Sequence, residues 1–164
     1  MTKNGFSLIE LLIVVAIILI IAAIAIPNLM RSRMAANESS AVATLRVLNN
    51  AEVTYAMTYN SGYTPGLNYL GPPSGGAQPN FQSADLVDSV LSGENGTGTN
   101  TTFGKNGYTF TYTSIGTYPA VTAYAISADP VARGSSGQKS FFTNEPLVIR
   151  SNATAAATSS DNPI

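Results

Sequence analysis

Residues 8–27 read Leu-Ile-Glu-Leu-Leu-Ile-Val-Val-Ala-Ile-Ile-Leu-Ile-Ile-Ala-Ala-Ile-Ala-Ile-Pro, and the fold follows from how this stretch is understood. Between Leu8 and Ile26 the single polar residue is Glu10, and fourteen of the nineteen positions are Leu, Ile or Val. As a helix rising about 1.5 Å per residue, the run extends roughly 28 Å, close to the ~30 Å hydrocarbon core of a bilayer. Each Leu, Ile or Val contributes about −0.3 to −0.6 kcal/mol at mid-membrane, against a cost of up to ~3 kcal/mol for one carboxylate near the end. Insertion wins despite Glu10. An ordinary secretory signal peptide is the competing reading: Lys3 supplies a positive start and Ala23-Ile24-Ala25 a small-x-small cleavage pattern, so the mature chain would begin at Ile26. The apolar run is longer than that class uses, and its first turns carry a carboxylate. Lys3 on one side and Arg31 and Arg33 on the other do not decide orientation.

Outward from this run, the 164-residue composition excludes most chemistry. Cys, His and Trp are all absent, which removes disulfides, thiol nucleophiles, Cys/His zinc sites, Ser-His triads and imidazole acid–base catalysis. Only 10% of residues are charged, and the eight basic and nine acidic side chains are scattered. No basic patch points to nucleic acid and no polybasic stretch to anionic lipid. The length fits one modest domain beside an anchoring segment.

Pro27 removes the amide hydrogen bond to the carbonyl of Ala23 and crowds that turn, so a kink or local melting is expected there. Helical spacing resumes beyond it: Ala41, Leu45, Leu48, Ala51, Tyr55 and Tyr59 recur every three or four residues, a stripe suited to covering a sheet, and Ser61-Gly62 ends it. The expectation is one helix of some 50 residues, its first half apolar all round and its second half, 28–60, amphipathic.

The string Gly5-Phe6-Ser7-Leu8-Ile9-Glu10, then the apolar run Leu11 to Ile26 and Pro27, resembles the prepilin signature of the type IV pilin and pseudopilin superfamily. Several features coincide: a five-residue leader with one Lys, Gly then Phe at the junction, Glu five positions into the mature chain and Pro twenty-two positions in. The resemblance covers roughly residues 1–35. It implies that a membrane-embedded prepilin peptidase cuts between Gly5 and Phe6 and methylates the new amine of Phe6. It also implies a pilin headgroup, storage in the inner membrane, extraction by an assembly platform and motor, and packing of like helices into a filament.

Glu10 acquires a physical reason on this reading. A carboxylate in an apolar helix is costly unless paired, and cleavage creates a positive amine four residues upstream at Phe6. The subunit's own helix or a staggered neighbour can bring the two together; the resemblance implies the neighbour, so the pair would set register as single polar groups do in coiled-coil seams. Solvation of Glu10 at the headgroup boundary is the competing account. Lipid tails are as apolar as Leu, so moving the helix from bilayer to bundle costs little.

Residues 61–106 read as a variable connection with turns at Thr64-Pro65-Gly66 and Gly71-Pro72-Pro73-Ser74-Gly75-Gly76. Within it, Ser83 is expected to cap a short helix over Ala84 to Ser92, burying Leu86, Val87, Val90 and Leu91. Tyr108, Phe110 and Tyr112 alternate with threonines and predict a strand, with Ala120 to Ala128 as antiparallel partner after a turn at Gly116 to Pro119. Lys139 to Thr143 and Leu147 to Arg150 predict a second pair around Asn144-Glu145-Pro146. The tail, 151–164, rich in Ala, Ser, Thr and Asn, is expected to be loose. At strand spacing the aromatics read as core rather than a stacking surface. Asn37, Asn95, Asn100 and Asn152 open N-x-Ser/Thr patterns too common in such sequence to carry weight.

The sequence departs from familiar relatives in two ways. It has no Cys for the C-terminal disulfide loop of many type IV pilins, and Pro130 to Gly137 offers no second acid beside Asp129 for the calcium site typical of the major type II secretion pseudopilin. No cofactor or metal is expected.

The resulting expectation is an α+β, pilin-like protein: leader 1–5; apolar transmembrane and assembly helix 6–27; and headgroup 28–164, with the amphipathic helix packed on a four-stranded antiparallel meander over 107–150. The function expected is that of a non-enzymatic major pilin, stored in the inner membrane and assembled outside the cell as a homo-oligomeric filament. The sites are Gly5 and Phe6 for processing, Phe6 for methylation, Glu10 with Phe6 for register, and Pro27 for the helix break. A pseudopilin of a secretion or DNA-uptake machine is the alternative within the superfamily. A membrane-anchored or secreted adhesin-like binding domain using the loop 61–106 is the alternative from another class.

Overall fold

The computed structural model describes residues 6–93, 101–117 and 119–164. The leader, with Gly5, and Asn95 and Asn100 lie outside the described residues. One helix, α1 (Leu8–Tyr59), spans 52 residues and belongs to two compact units, Met1–Arg33 and Met34–Ile164.

The first unit holds the apolar part of α1. Every described residue in it is exposed except Ala22, which is partly covered. Large side chains such as Leu19, Ile20 and Ile24 are each more than 60% exposed, and the uncovered apolar surface runs all round the helix.

In the second unit α1 buries a single stripe. Ala41, Leu45, Leu48, Ala51 and Tyr55 are buried where the heptad-like spacing places them, and Tyr59 packs against the same core. The helix ends at Tyr59, followed by Asn60 and Gly62 with positive φ (51° and 79°), which reverse the chain. A Cβ on Gly62 would lie 2.2 Å from the carbonyl oxygen of Val121, so the close approach of this turn to the sheet requires glycine.

The stripe shares its core with a five-stranded antiparallel sheet in sequential order: β1 (Thr102–Lys105), β2 (Tyr108–Thr117), β3 (Ala120–Pro130), β4 (Ser140–Asn144) and β5 (Arg150–Asn152). On β2, Tyr108, Phe110 and Tyr112 point to the core while Thr109 and Thr113 face out; on β3, Tyr124, Ile126 and Ala128 do the same work. The β2–β3 register shifts between Ile115 and Gly116, where φ is +108° and a Cβ would meet the Ala120 carbonyl at 2.5 Å.

The α+β architecture is as expected, with differences of detail. The sheet has five strands, not four: β1 sits in the segment expected to be loop, and its Phe103 stacks on Phe110 with ring centroids 4.6 Å apart. The partner of β4 is Arg150–Asn152 rather than Leu147–Arg150, because Leu147 takes positive φ (63°) and the connection extends to Ile149.

Ala84–Ser92 is not a helix. The amides of Ala84, Asp85 and Leu86 donate to the carbonyls of Tyr69, Gly71 and Leu70 at 2.8–2.9 Å, so their bonds are made to a neighbouring segment and not along a helix axis. Val87 and Leu91 are buried as expected, but Val90 is 45% exposed. Two short 3-10 turns, Leu67–Leu70 and Ser74–Gly76, are the helical pieces described in this connection.

The tail is ordered. Ser151 donates to Asn162 and Ile164 to Ile149 through backbone bonds of 3.1 Å, and Asp161 Oδ2 accepts from both the amide and the hydroxyl of Thr158. Asp161 Oδ1 takes the side-chain amide of Asn152, and Arg150 donates to the Asp161 carbonyl. These bonds lower the Asp161 carboxyl below its ordinary range. Arg133 completes the clasp, donating to the carbonyls of Gln138, Ala153 and Ala155 and to the Ser140 hydroxyl.

Candidate processing and assembly site

Of the expected site residues, Phe6 precedes α1, Glu10 lies in its first turn and Pro27 lies well inside it. Ser7 is the residue before the helix and Glu10 lies in its first turn, the spacing of a capping box. Glu10 Oε2 accepts the Ser7 amide at 3.0 Å, while the Ser7 carbonyl accepts the amides of Glu10 and Leu11. A carboxylate at this end also meets the positive pole of the helix dipole. Glu10 is therefore bonded within its own helix to Ser7, not to Phe6, whose side chain is exposed.

Fully burying a Leu, Ile or Val side chain is worth about 1.5–3 kcal/mol relative to leaving it in water. The uncovered run of α1 thus demands an apolar surrounding, and by length and hydropathy (mean 3.3) it is suited to cross a membrane. Such a run meets either lipid or other helices of its kind without losing that gain.

Pro27 lies inside α1, and the helix is continuous through it. The turns around it gain side-chain bonds: Asn28 Nδ2 donates to the Ile24 carbonyl and Ser32 Oγ to the Asn28 carbonyl, both at 3.0 Å.

Further polar side chains, not singled out in the sequence, fix the head. Glu38 Oε1 accepts the amides of Gln138 and Lys139 at 2.8 and 3.1 Å, and Asn37 donates to the Ser136 carbonyl at 2.7 Å. Deeper, Asn49, Glu52, Thr64, Tyr112, Tyr124 and Thr143 form a buried polar cluster beneath the sheet. Glu52 falls on the apolar stripe between Leu48 and Tyr55, a position where a charged residue is conspicuous. No group of three or more Asp, Glu, His or Cys able to hold a metal is found among the described residues.

Comparison with known proteins finds likenesses at the N-terminus. Residues 1–26 match the prokaryotic N-terminal methylation motif. With that motif on an α+β head, the chain resembles type IV pilins at its N-terminus and in its architecture. It is 47% identical over 58 residues to the type IV wide pilus major component PilA4 of Thermus thermophilus, a match covering 35% of this chain and 44% of that protein. It is 49% identical over 53 residues to the type IV major pilin protein PilA of Myxococcus xanthus, covering 32% of this chain and 24% of that protein. The chain thus spans less than half the length of either relative. No solved structure matches.

Proposed function

We propose that this chain is the structural subunit, a major pilin, of a type IV pilus-like filament. The observation that carries the reading is the exposed apolar run of α1 with Glu10 at its start, joined to a head whose own core is complete without it. Two relatives named as pilus components support the pilin over the pseudopilin reading. The proposed sequence begins with a prepilin peptidase that cuts between Gly5 and Phe6 and methylates Phe6. The mature subunit waits in the inner membrane with residues 8–26 in lipid. An assembly platform and motor then extract it, and its helix packs among copies of itself in the extracellular filament.

On assembly, Glu10 exchanges its bond to Ser7 for the methylated, positively charged Phe6 amine of a neighbouring subunit, which sets the stagger. Pro27 is where the helix loosens during packing, since one backbone bond is already missing there.

The test is intact-mass and N-terminal peptide spectrometry on material sheared from the cell surface. Methylated Phe6 at the start of sheared fibres is the expected result. A start at Ile26 would mean that an ordinary signal peptidase removes the run, and the filament reading would fail. Processed protein retained in the membrane, with only short fibres on overproduction, would favour a pseudopilus.

A further inference from the structure

Glu52 is fully buried, yet among the described residues no cation offsets it. Its carboxyl lies in the head, 26 residues beyond the apolar run, against the first residues that follow α1. Three oxygen–oxygen contacts meet here: Thr64 Oγ1 to Glu52 Oε1 at 2.6 Å, Thr64 Oγ1 to the Tyr112 hydroxyl at 3.2 Å, and the Tyr112 hydroxyl to the Thr64 carbonyl at 2.7 Å. A fourth bond, from the Thr64 amide to Glu52 Oε2 at 3.0 Å, brings its own proton.

Proton counting decides the state of this cluster. Each oxygen–oxygen bond needs one proton, and Thr64 and Tyr112 supply one apiece. The third can come only from the Glu52 carboxyl. With it, Glu52 donates to Thr64, Thr64 to Tyr112, and Tyr112 to the Thr64 carbonyl, so every link is filled. Without it, Thr64 turns its proton to the carboxylate, and the Thr64–Tyr112 contact holds two lone pairs and no hydrogen.

We propose that Glu52 is a proton-holding latch: in its neutral form it closes a ring of bonds that ties α1, the segment after it and β2 together, and its ionisation opens that ring at Thr64–Tyr112 and loosens the segment around Thr64. The latch goes beyond the assembly reading and does not depend on it.

The surroundings agree. Burial raises the Glu52 carboxyl to about 7, opposed in smaller measure by the Thr64 bonds and the nearby Tyr112 hydroxyl. The other titratable groups facing it are phenols, Tyr112 on β2 and Tyr124 on β3; behind them the ring of Tyr63 meets that of Tyr124 edge-on at 4.8 Å. Glu145 acts on Tyr124 from the connection after β4. Burial pushes Tyr112 and Tyr124 well above their ordinary values, so they keep their protons where Glu52 loses its own. The sign follows from linkage. The folded chain binds this proton more tightly than the unfolded one, so the stability that Glu52 contributes is highest below about 4.5, falls as pH rises to about 7, and then levels.

The experiment uses the full chain in detergent micelles. Thermal unfolding is followed by circular dichroism across this range for wild type and Glu52→Gln, which keeps the shape and supplies a permanent donor to Thr64. The expected result is a midpoint that falls with pH in wild type, relative to a flatter profile in the variant. Parallel profiles would overturn the latch. Because the variant can fail to fold, the wild type alone is also read by infrared spectroscopy at pH 6 with carboxyl-labelled glutamate. A carbonyl band of a protonated acid that moves with the label supports the proposal, and its absence at pH 6 refutes it.

Discussion

The phenol of Tyr124 on β3 donates to Oδ1 of Asn49 on α1 at 3.0 Å, and the other end of that amide donates to Thr143 on β4 at 2.9 Å. One buried side chain thus joins the helix to two adjacent strands, with both ends satisfied. Asn49→Leu would leave the Tyr124 and Thr143 hydroxyls without this partner in an apolar setting, at about 1–3 kcal/mol for each unsatisfied group. Chemical denaturation should show a head destabilised by more than Tyr124→Phe alone, which removes one hydroxyl and spares the Thr143 bond.

Glu10→Ala tests the register proposal. The expected outcome is a protein still processed at Gly5-Phe6 but absent from sheared fibres, read by immunoblot of membrane and sheared fractions. Filaments of wild-type number and length would sink the proposal. Loss of the Ser7 bond should alter the first turn only, so the melting midpoint of the head stays unchanged.

Gly62→Ala should destabilise the head strongly. The added Cβ meets the Val121 carbonyl, and positive φ disfavours alanine at the same place. A lowered denaturation midpoint with unchanged slope checks this, and a wild-type midpoint would show that the turn moves freely away from the sheet.

The C-terminal clasp depends on an ionised Asp161. Its bonds from Thr158 and Asn152 hold the carboxyl below the ordinary value of 3.8, so its contribution is present above that value and lost as pH falls through the lower folded one. Asp161→Asn and Arg133→Ala should each speed removal of the last residues by carboxypeptidase at neutral pH. Equal digestion rates would mean the clasp is held by the backbone bonds alone.

Much of this architecture was legible in the sequence because it rests on period and length. The stripe from Ala41 to Tyr55 and the alternation of Tyr108, Phe110 and Tyr112 mark their elements without any distant partner. β1 was not legible: Thr102–Lys105 is short, contains Gly104 and follows a run of Gly, Thr and Asn, and it becomes a strand through pairing with β2. The order of the tail was equally hidden, since Asp161 and Arg133 act across non-local bonds that composition does not encode. At the candidate site, a motif's spacing singled out Gly5, Phe6, Glu10 and Pro27, but it did not foretell that α1 runs unbroken through Pro27. Glu52 escaped for the opposite reason: its role depends on Thr64 and Tyr112, brought to it by the turn at Gly62 and the packing of β2.

The tyrosine hydroxyls suggest how such a surface can change over time. Tyr55 donates to the carbonyl of Phe81 and Tyr108 to that of Lys139, at 2.6 and 2.7 Å. Every amino acid carries that same acceptor. The loops at 81 and 139 are thus moored through a part of the chain that mutation does not alter, and their outward side chains can diversify while their course stays set from within the core.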